Sequence, residues 1–504
     1  MIGHPRNKLS DLTDFTFVVG VVAVILIATA LRAWVLLVTD NGIDFHFNAY
    51  DRSLFTWYDW MQSDRLAPMP DYGPLHFYLL RIMFWFTGFD AIWWPRIISL
   101  CMGVASLVPL MRLTQRSFGK RAALWPGAAG ALYPLGVRDS TVSLEVSLFI
   151  FLVLMAADAL SRAIDKKQGS WEAVISTAVW INLACATRFE GWFLLPVMAL
   201  IMIKSSWFRA IIFGLIASFF PLLWMTVNHV VTGNPLGFAA VSSAVQKIHS
   251  TATPLFDRVI GWPVIWGQTG TWVMAVLVIA GLFMALRQKR GGVAAFMGLS
   301  LFALFEIFAI RGTMALNETK YIAAVGALLL PFAGVAIQGL SSANSATIRK
   351  AGPWVAIGMI ALFSLSTLVK DNERFAPPTQ VKNLCAFLAD QKDSKEQVLL
   401  GVRFQGYILA RSGLPYDRFT LIPSNDKTGM RDPIYFWKGI QDHAPCLLIH
   451  NTLPDRLDFQ DLVPIDGQKT LNYQSRDFFF EPVFHQGDWF VLSVKAVESI
   501  ESTS

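Results

Sequence analysis

Residues 40–74 (DNGIDFHFNAYDRSLFTWYDWMQSDRLAPMPDYGP) set six aspartates, Asp40, Asp44, Asp51, Asp59, Asp64 and Asp71, among aromatic side chains directly after the first long apolar run. Carboxylates next to a bilayer are costly unless they face water or take part in chemistry. Asp44, just past that run, is the candidate for a general base that takes a proton from an acceptor hydroxyl. A helix cap or a solvated loop carboxylate is its plainer reading. Asp51, Asp59 and Asp64 read as the solvated face of an amphipathic helix. His46, two residues from Asp44, adds the option of a metal site, with Asp44, Glu145 and His46 as candidate ligands of a divalent cation.

Three further places carry charge where an apolar run should not. Glu145 lies inside VSLEVSLFIF, and a glutamate that deep is disfavoured by roughly 2 kcal/mol or more unless paired or facing a cavity. A salt bridge to Arg138 is one reading; a second active-site carboxylate is the other. Arg138 and Asp139 read as residues that shape the turn. Arg188, beside Glu190 in ATRFEGW, is either a snorkelling anchor or a phosphate contact, because the arginine fork suits phosphate oxygens. Lys320 and Tyr321 at the start of a late run, and Arg311 before it, read the same way. Cations facing a carboxylate-rich loop suit a reaction in which a phosphate leaves, since the leaving group gathers negative charge.

Such residues need a membrane scaffold. Only 15% of the 504 residues are charged, against roughly 25% in a soluble domain. The apolar runs lack the alternation of a β-barrel, so they predict helices. They cover residues 15–38, 95–113, 122–137, 142–160, 171–187, 192–203, 208–230, 272–286, 293–310, 321–340 and 354–369. Basic clusters (Arg112, Arg116, Lys120 and Arg121; Arg162, Lys166 and Lys167; Lys204 and Arg209; Arg287, Lys289 and Arg290; Arg349 and Lys350) follow alternate runs. That is the mark of cytoplasmic loops rather than of nucleic-acid binding. With the N-terminus also cytoplasmic, parity lays residues 76–94 along the outer surface and gives about eleven spans. It also gathers the acidic loop, residues 135–145, residues 187–191, residues 232–271 and residues 311–321 on the outer face.

Beyond residue 369 the composition changes. The expected organisation is a transmembrane catalytic domain over residues 1–369, with an outer juxtamembrane loop over 40–94, and a periplasmic α/β domain over 370–504. Residues 397–402, 419–423 and 446–450 read as buried strands, with helices near 381–391, 405–411 and 435–443. Residues 478–495 read as a hairpin around Gln486-Gly487-Asp488. Cys101 and Cys185 sit in apolar runs and read as core; Cys385 and Cys446 could pair outside the cytoplasm. No cleavable signal peptide is expected.

The order Ile43-Asp44-Phe45, Gly73-Pro74-Leu75-His76-Phe77-Tyr78, Pro95-Arg96-Ile97-Ile98-Ser99, Phe118-Gly119-Lys120-Arg121-Ala122, Glu145, Thr187-Arg188-Phe189-Glu190-Gly191 and Lys320-Tyr321 resembles that of the lipid-phosphate-sugar-dependent glycosyltransferases of the GT-C fold. Within them it is most similar to the protein O-mannosyltransferase-like branch, which includes the bacterial aminoarabinose and galacturonic acid transferases of lipopolysaccharide. The resemblance covers roughly residues 10–340. It implies that Asp44 is the catalytic aspartate, Glu145 the second acidic residue, Arg188 the phosphate-side cation, and Lys320-Tyr321 the basic-Tyr pair before a late span. It also implies a polyprenyl-phosphate sugar donor and inversion at the anomeric carbon. Gly73-Pro74 stands where the family has Pro-Pro or Lys-Pro, and Glu145 where it usually has aspartate.

The expected protein is a multi-pass enzyme of a bacterial inner membrane, moving one sugar to a hydroxyl of a lipid, glycan or protein acceptor. Its rivals are a transporter or flippase of lipid-linked sugars, an oligosaccharyltransferase-like ligase of whole glycans, and a non-catalytic assembly protein. The absence of an internal repeat and the clustering of charges at outer helix ends favour an enzyme over a transporter.

Overall fold

Inside a bilayer each backbone N–H and C=O must find its partner within its own segment, so apolar runs become helices. The computed structural model describes residues 13–38, 56, 73–88, 93–142, 145–165, 170–238, 254–311, 320–375, 377–400, 405–421, 433–451, 469–473 and 476–497. The main division of the chain falls between Arg374 and Phe375.

The first unit is helical. Its elements are α1 (Asp14–Val38), α2 (Leu75–Thr87), α3 (Trp93–Ala105), α4 (Leu107–Phe118), α5 (Lys120–Leu132), α6 (Pro134–Asp139), α7 (Val146–Ala163) and α8 (Trp171–Thr187). They continue as α9 (Glu190–Ile203), α10 (Trp207–Ala217), α11 (Phe219–Thr232), α12 (Leu255–Gly270), α13 (Trp272–Arg287), α14 (Gly292–Ile310), α15 (Lys320–Leu340) and α16 (Ala346–Phe375). The span at Tyr321–Leu340 is 89% buried and the one at Val146–Ala163 78%, so α15 and α7 form the centre of the bundle, while α1 exposes apolar side chains such as Phe15 and Leu37. Close packing at the centre relies on small residues, as expected where helices meet without a hydrophobic drive between them. At Gly281 of α13 a Cβ would stand 1.7 Å from the carbonyl oxygen of Phe332 in α15.

Among the described residues seven helices are long and apolar enough to cross, or eight counting one bent pair, against the expectation of about eleven. The difference has local causes. Residues 122–137 are divided at Tyr133 between α5 and α6. The expected run 272–286 is one limb of the pair α12–α13, bent by 114° at Thr271, which takes a positive φ of 75°. At 14 residues α9 is short for a span, and α8, with 17, is at the lower limit of one. α2 has 13 residues, roughly 20 Å of helix, and is too short to cross.

The second unit comprises α17 (Thr379–Asp390), β1 (Gln397–Leu400), α18 (Gln405–Arg411), β2 (Phe419–Leu421), α19 (Pro433–His443), β3 (Cys446–Asn451), β4 (Lys469–Tyr473), β5 (Arg476–Gln486) and β6 (Trp489–Val497). The sheet order is β2-β1-β3-β6-β5-β4. β1 runs parallel to β2 and β3, and β3–β6–β5–β4 are antiparallel. The expected hairpin is β5–β6, with Gly487 at φ 58° in the tight turn, where the left-handed region favours glycine. Its core gathers Leu399, Ile440, Cys446, Leu448, Phe480 and Leu492. None of the four cysteines forms a disulfide, so Cys385 and Cys446 are not joined; Cys185 is core as expected, but Cys101 is exposed on the surface of α3.

Candidate active site

The site grows from the breaks between helices. Pro134 opens α6, a six-residue helix ending in Arg138 and Asp139, and both side chains are buried. Arg138 donates to Asp139 Oδ1 from Nε (3.2 Å) and Nη2 (3.1 Å). Asp139 Oδ2 is buried with no hydrogen-bond partner among the described residues. Burial pushes the Asp139 carboxyl above its ordinary range, against the opposing pull of Arg138.

Glu145 is the N-cap of α7. Arg188 is the C-cap of α8, with extended backbone at φ −148° and ψ 143°, and Glu190 opens α9. That sharp α8–α9 connection depends on Gly191, where a Cβ would stand 2.9 Å from the Cys185 backbone nitrogen. The result is a three-way ion cluster. Arg188 Nη1 donates to Glu145 Oε1 at 2.7 Å, and Arg188 Nε and Nη2 donate to Glu190. Burial opposes the charge of Arg188, but the carboxylates of Glu190 and Glu145 outweigh it and hold the guanidinium pKa above its ordinary value. Arg188 is therefore no snorkelling anchor: it is 7% exposed, and Glu145, at 6%, pairs with it rather than with Arg138.

The central helix completes the arrangement. Tyr321, in the first turn of α15, places its ring 5.3 Å from the Arg188 guanidinium carbon, and Phe149 of α7 lies 6.0 Å away. Tyr321 is flanked by Phe305 of α14 at 5.4 Å and Trp262 of α12 at 6.3 Å. Such a ring face attracts a cation and shields it from water.

Two arginines absent from the sequence reading of the chemistry hold the turn between α6 and Glu145. Arg32 of α1 is buried; its Nε donates to Ser140 Oγ (2.8 Å) and its Nη1 to the Ala131 carbonyl (3.1 Å) in the last turn of α5. Arg96 of α3 donates from Nε to the Thr141 carbonyl at 2.7 Å. An arginine inside an apolar run is itself a functional signal, and TALRAW carries it in the sequence.

The structure thus brings together Glu145, Arg188 and Tyr321, and adds Glu190, Arg138 and Asp139. Arg311, the C-cap of α14, is exposed, and among the described residues no contact joins it to the cluster. Lys320 begins α15. Asp44 and His46 lie outside the described residues. No group of three His, Cys, Asp or Glu side chains gathers among the described residues. At Gly73 a Cβ would stand 2.2 Å from the Thr187 carbonyl oxygen, so the chain has no room for a side chain at the position where the similar family carries Pro or Lys.

A helical bundle with buried charges gathered at its helix ends, followed by a small α/β unit, defines a polytopic membrane protein of the GT-C fold. The structure of ArnT from Cupriavidus metallidurans bound to undecaprenyl phosphate matches with a TM-score of 0.63 at 14% identity, covering 95% of this chain and 98% of that one. Its apo state matches with a TM-score of 0.64 at 15% identity, with the same coverage. The oligosaccharyltransferase AglB from Archaeoglobus fulgidus, in complex with an inhibitory peptide and a dolichol-phosphate, matches at 0.51 and 12% identity, over 87% of this chain and 70% of that one. Residues 70–230 match the family described as dolichyl-phosphate-mannose-protein mannosyltransferase. No curated protein matches by sequence.

Proposed function

We propose that the chain is an inverting glycosyltransferase that moves a single sugar from a polyprenyl-phosphate donor to a hydroxyl of a lipid, glycan or protein acceptor. It works at the outer face of a bacterial inner membrane, with the C-terminal α/β unit on the periplasmic side. The observation that carries this reading is the buried Glu145–Arg188–Glu190 cluster against Tyr321, set at helix ends in a fold that matches ArnT along nearly its whole length.

Asp44 accepts the proton of the acceptor hydroxyl as its oxygen attacks the anomeric carbon. The bond from that carbon to the phosphate oxygen breaks, and the polyprenyl phosphate leaves with the electron pair. Arg188 is engaged by two carboxylates, so a donor phosphate must displace one of them or meet a further cation. Lys320, next to Tyr321, and Arg311 are assigned that part. Glu145 acts as the second acidic residue by holding the Arg188 fork in place, and it joins Asp44 and His46 should a divalent cation bind.

Asp44→Asn is expected to lower turnover of a purified lipid-phosphate sugar at least about 100-fold. Retention of most turnover would remove Asp44 from the chemistry. Product formed in detergent, where no compartments exist, separates transfer from transport. The likeness to AglB favours one second reading, the transfer of a whole glycan; a lipid-linked oligosaccharide used in preference to a monosaccharide donor would establish it.

A further inference from the structure

A recess of about 550 Å³ opens away from the Arg188 cluster, lined by Gln115, Arg116, Ser117, Gly119, Arg290 and Gly291. It lies where α4 ends, α5 begins and α14 begins. Gly119 is the N-cap of α5 and Gly291 the N-cap of α14, and neither cap supplies a side-chain acceptor to its helix. Two helix N-termini, each with partial positive charge from its first N–H groups, therefore border one cavity. Both glycines take positive φ, 93° and 71°. A Cβ at Gly119 would meet nothing within 4 Å, whereas the ring of Phe118, which also lines the recess, lies 2.5 Å from where a Gly291 Cβ would stand, so the open backbone is at Gly119.

Two guanidinium groups wall the same space. Arg116 is anchored from behind: its Nε donates to Asp158 Oδ1 at 2.7 Å, and Asp158 is buried in α7. Arg290 is exposed, and no described residue pairs with its side chain. Arg112, Lys120 and Arg287 stand in the adjoining sequence. The spans Trp93–Phe118 and Gly292–Ile310 end at this recess, which places it at the headgroup level of the bilayer. The basic clusters assign that level to the cytoplasmic leaflet, where anionic lipids concentrate.

We infer that this recess binds the phosphate of an anionic phospholipid of the cytoplasmic leaflet, with Arg116 and Arg290 as its contacts. The site is separate from the outer chemistry and does not depend on what that chemistry is. A phospholipid suits it better than a free anion because the recess opens at the ends of two spans, where an acyl chain can lie along the exposed Phe296 and Leu299 of α14.

The test uses the full chain in neutral detergent, with lipid adducts followed by native mass spectrometry. Phosphatidylglycerol is expected to bind in preference to phosphatidylethanolamine. Arg290→Gln should weaken phosphatidylglycerol about fivefold, leave phosphatidylethanolamine unchanged, and be rescued by Arg290→Lys. Arg116→Gln should weaken it by a similar factor; because that change takes from the buried Asp158 its 2.7 Å partner and leaves it only Arg162 at 3.9 Å, Arg290→Gln decides the matter if the Arg116 variant does not fold. Equal affinity for the two lipids, or an Arg290→Gln chain that binds phosphatidylglycerol as the parent does, would overturn the site. Inorganic phosphate competing as tightly as the lipid would overturn the lipid assignment.

Discussion

The ion cluster makes an asymmetric prediction about its own members. Arg188 bridges Glu145 and Glu190, whose side chains are 8% and 14% exposed. In Arg188→Gln both carboxylates lose their cation while still largely buried. Breaking a buried pair from one side costs about 3–5 kcal/mol, and here two largely buried carboxylates lose the same cation, so the upper end of that range is expected. In Glu145→Gln the guanidinium keeps Glu190 and the Tyr321 ring. The loss is then that of one hydrogen bond to a charged group, about 1.5–3 kcal/mol. The double variant should be more stable than the summed single costs imply, with a coupling of about 0.5–3 kcal/mol. Thermal unfolding of the purified chain in one detergent, scored as the fraction that stays monodisperse, gives the order of the variants. Their coupling comes from denaturant unfolding where the transition is reversible. Equal costs for the two single variants, or strictly additive ones, would refute the bridging role of Arg188.

Gly281→Ala should destabilise the bundle by about 1–3 kcal/mol, because its Cβ meets the Phe332 backbone rather than a movable side chain; an unchanged melting temperature would show that α13 and α15 can separate freely. In the C-terminal unit, burial pushes the Cys446 thiol up to about 12 from an ordinary value near 9. The folded state then resists ionisation that the unfolded chain undergoes. The stability of this unit should hold below about pH 9 and fall as pH rises from there toward 12. Maleimide at pH 8 should leave native Cys446 unmodified and label it on unfolding; rapid native labelling would contradict its burial.

What the sequence disclosed follows the reach of its signals. The tail was legible in detail because its strands are short apolar runs between turn residues: the expected hairpin at Gly487 is β5–β6, and β1, β2 and β3 begin where their runs begin. β4 was missed, since KTLNY is half polar and becomes a strand by pairing with β5. The described spans fall short of the expected count where a single apolar composition hides a break, at Tyr133 and at Thr271, because hydropathy does not record backbone direction. Glu145 and Arg188 stood out as charges at the ends of apolar runs, but 43 residues separate them, so their pairing with each other was invisible. Glu190 looked like a neighbour of Arg188 in sequence and proved its second partner in space. Cys101 was assigned to the core because one-dimensional apolarity does not distinguish a lipid-facing position from an interior one.

Arg32 and Arg96 hold adjacent residues, Ser140 and Thr141, from two different helices. The loop leading to Glu145 is thus moored to α1 and α3 at once, and any change in the lean of one against the other pulls on it. Helices adjust their lean to hydrocarbon thickness. Membrane thickness accordingly becomes a control on the spacing of the charged groups, and vesicles of graded acyl-chain length should tune turnover through an optimum. A flat dependence would mean that the two moorings yield together.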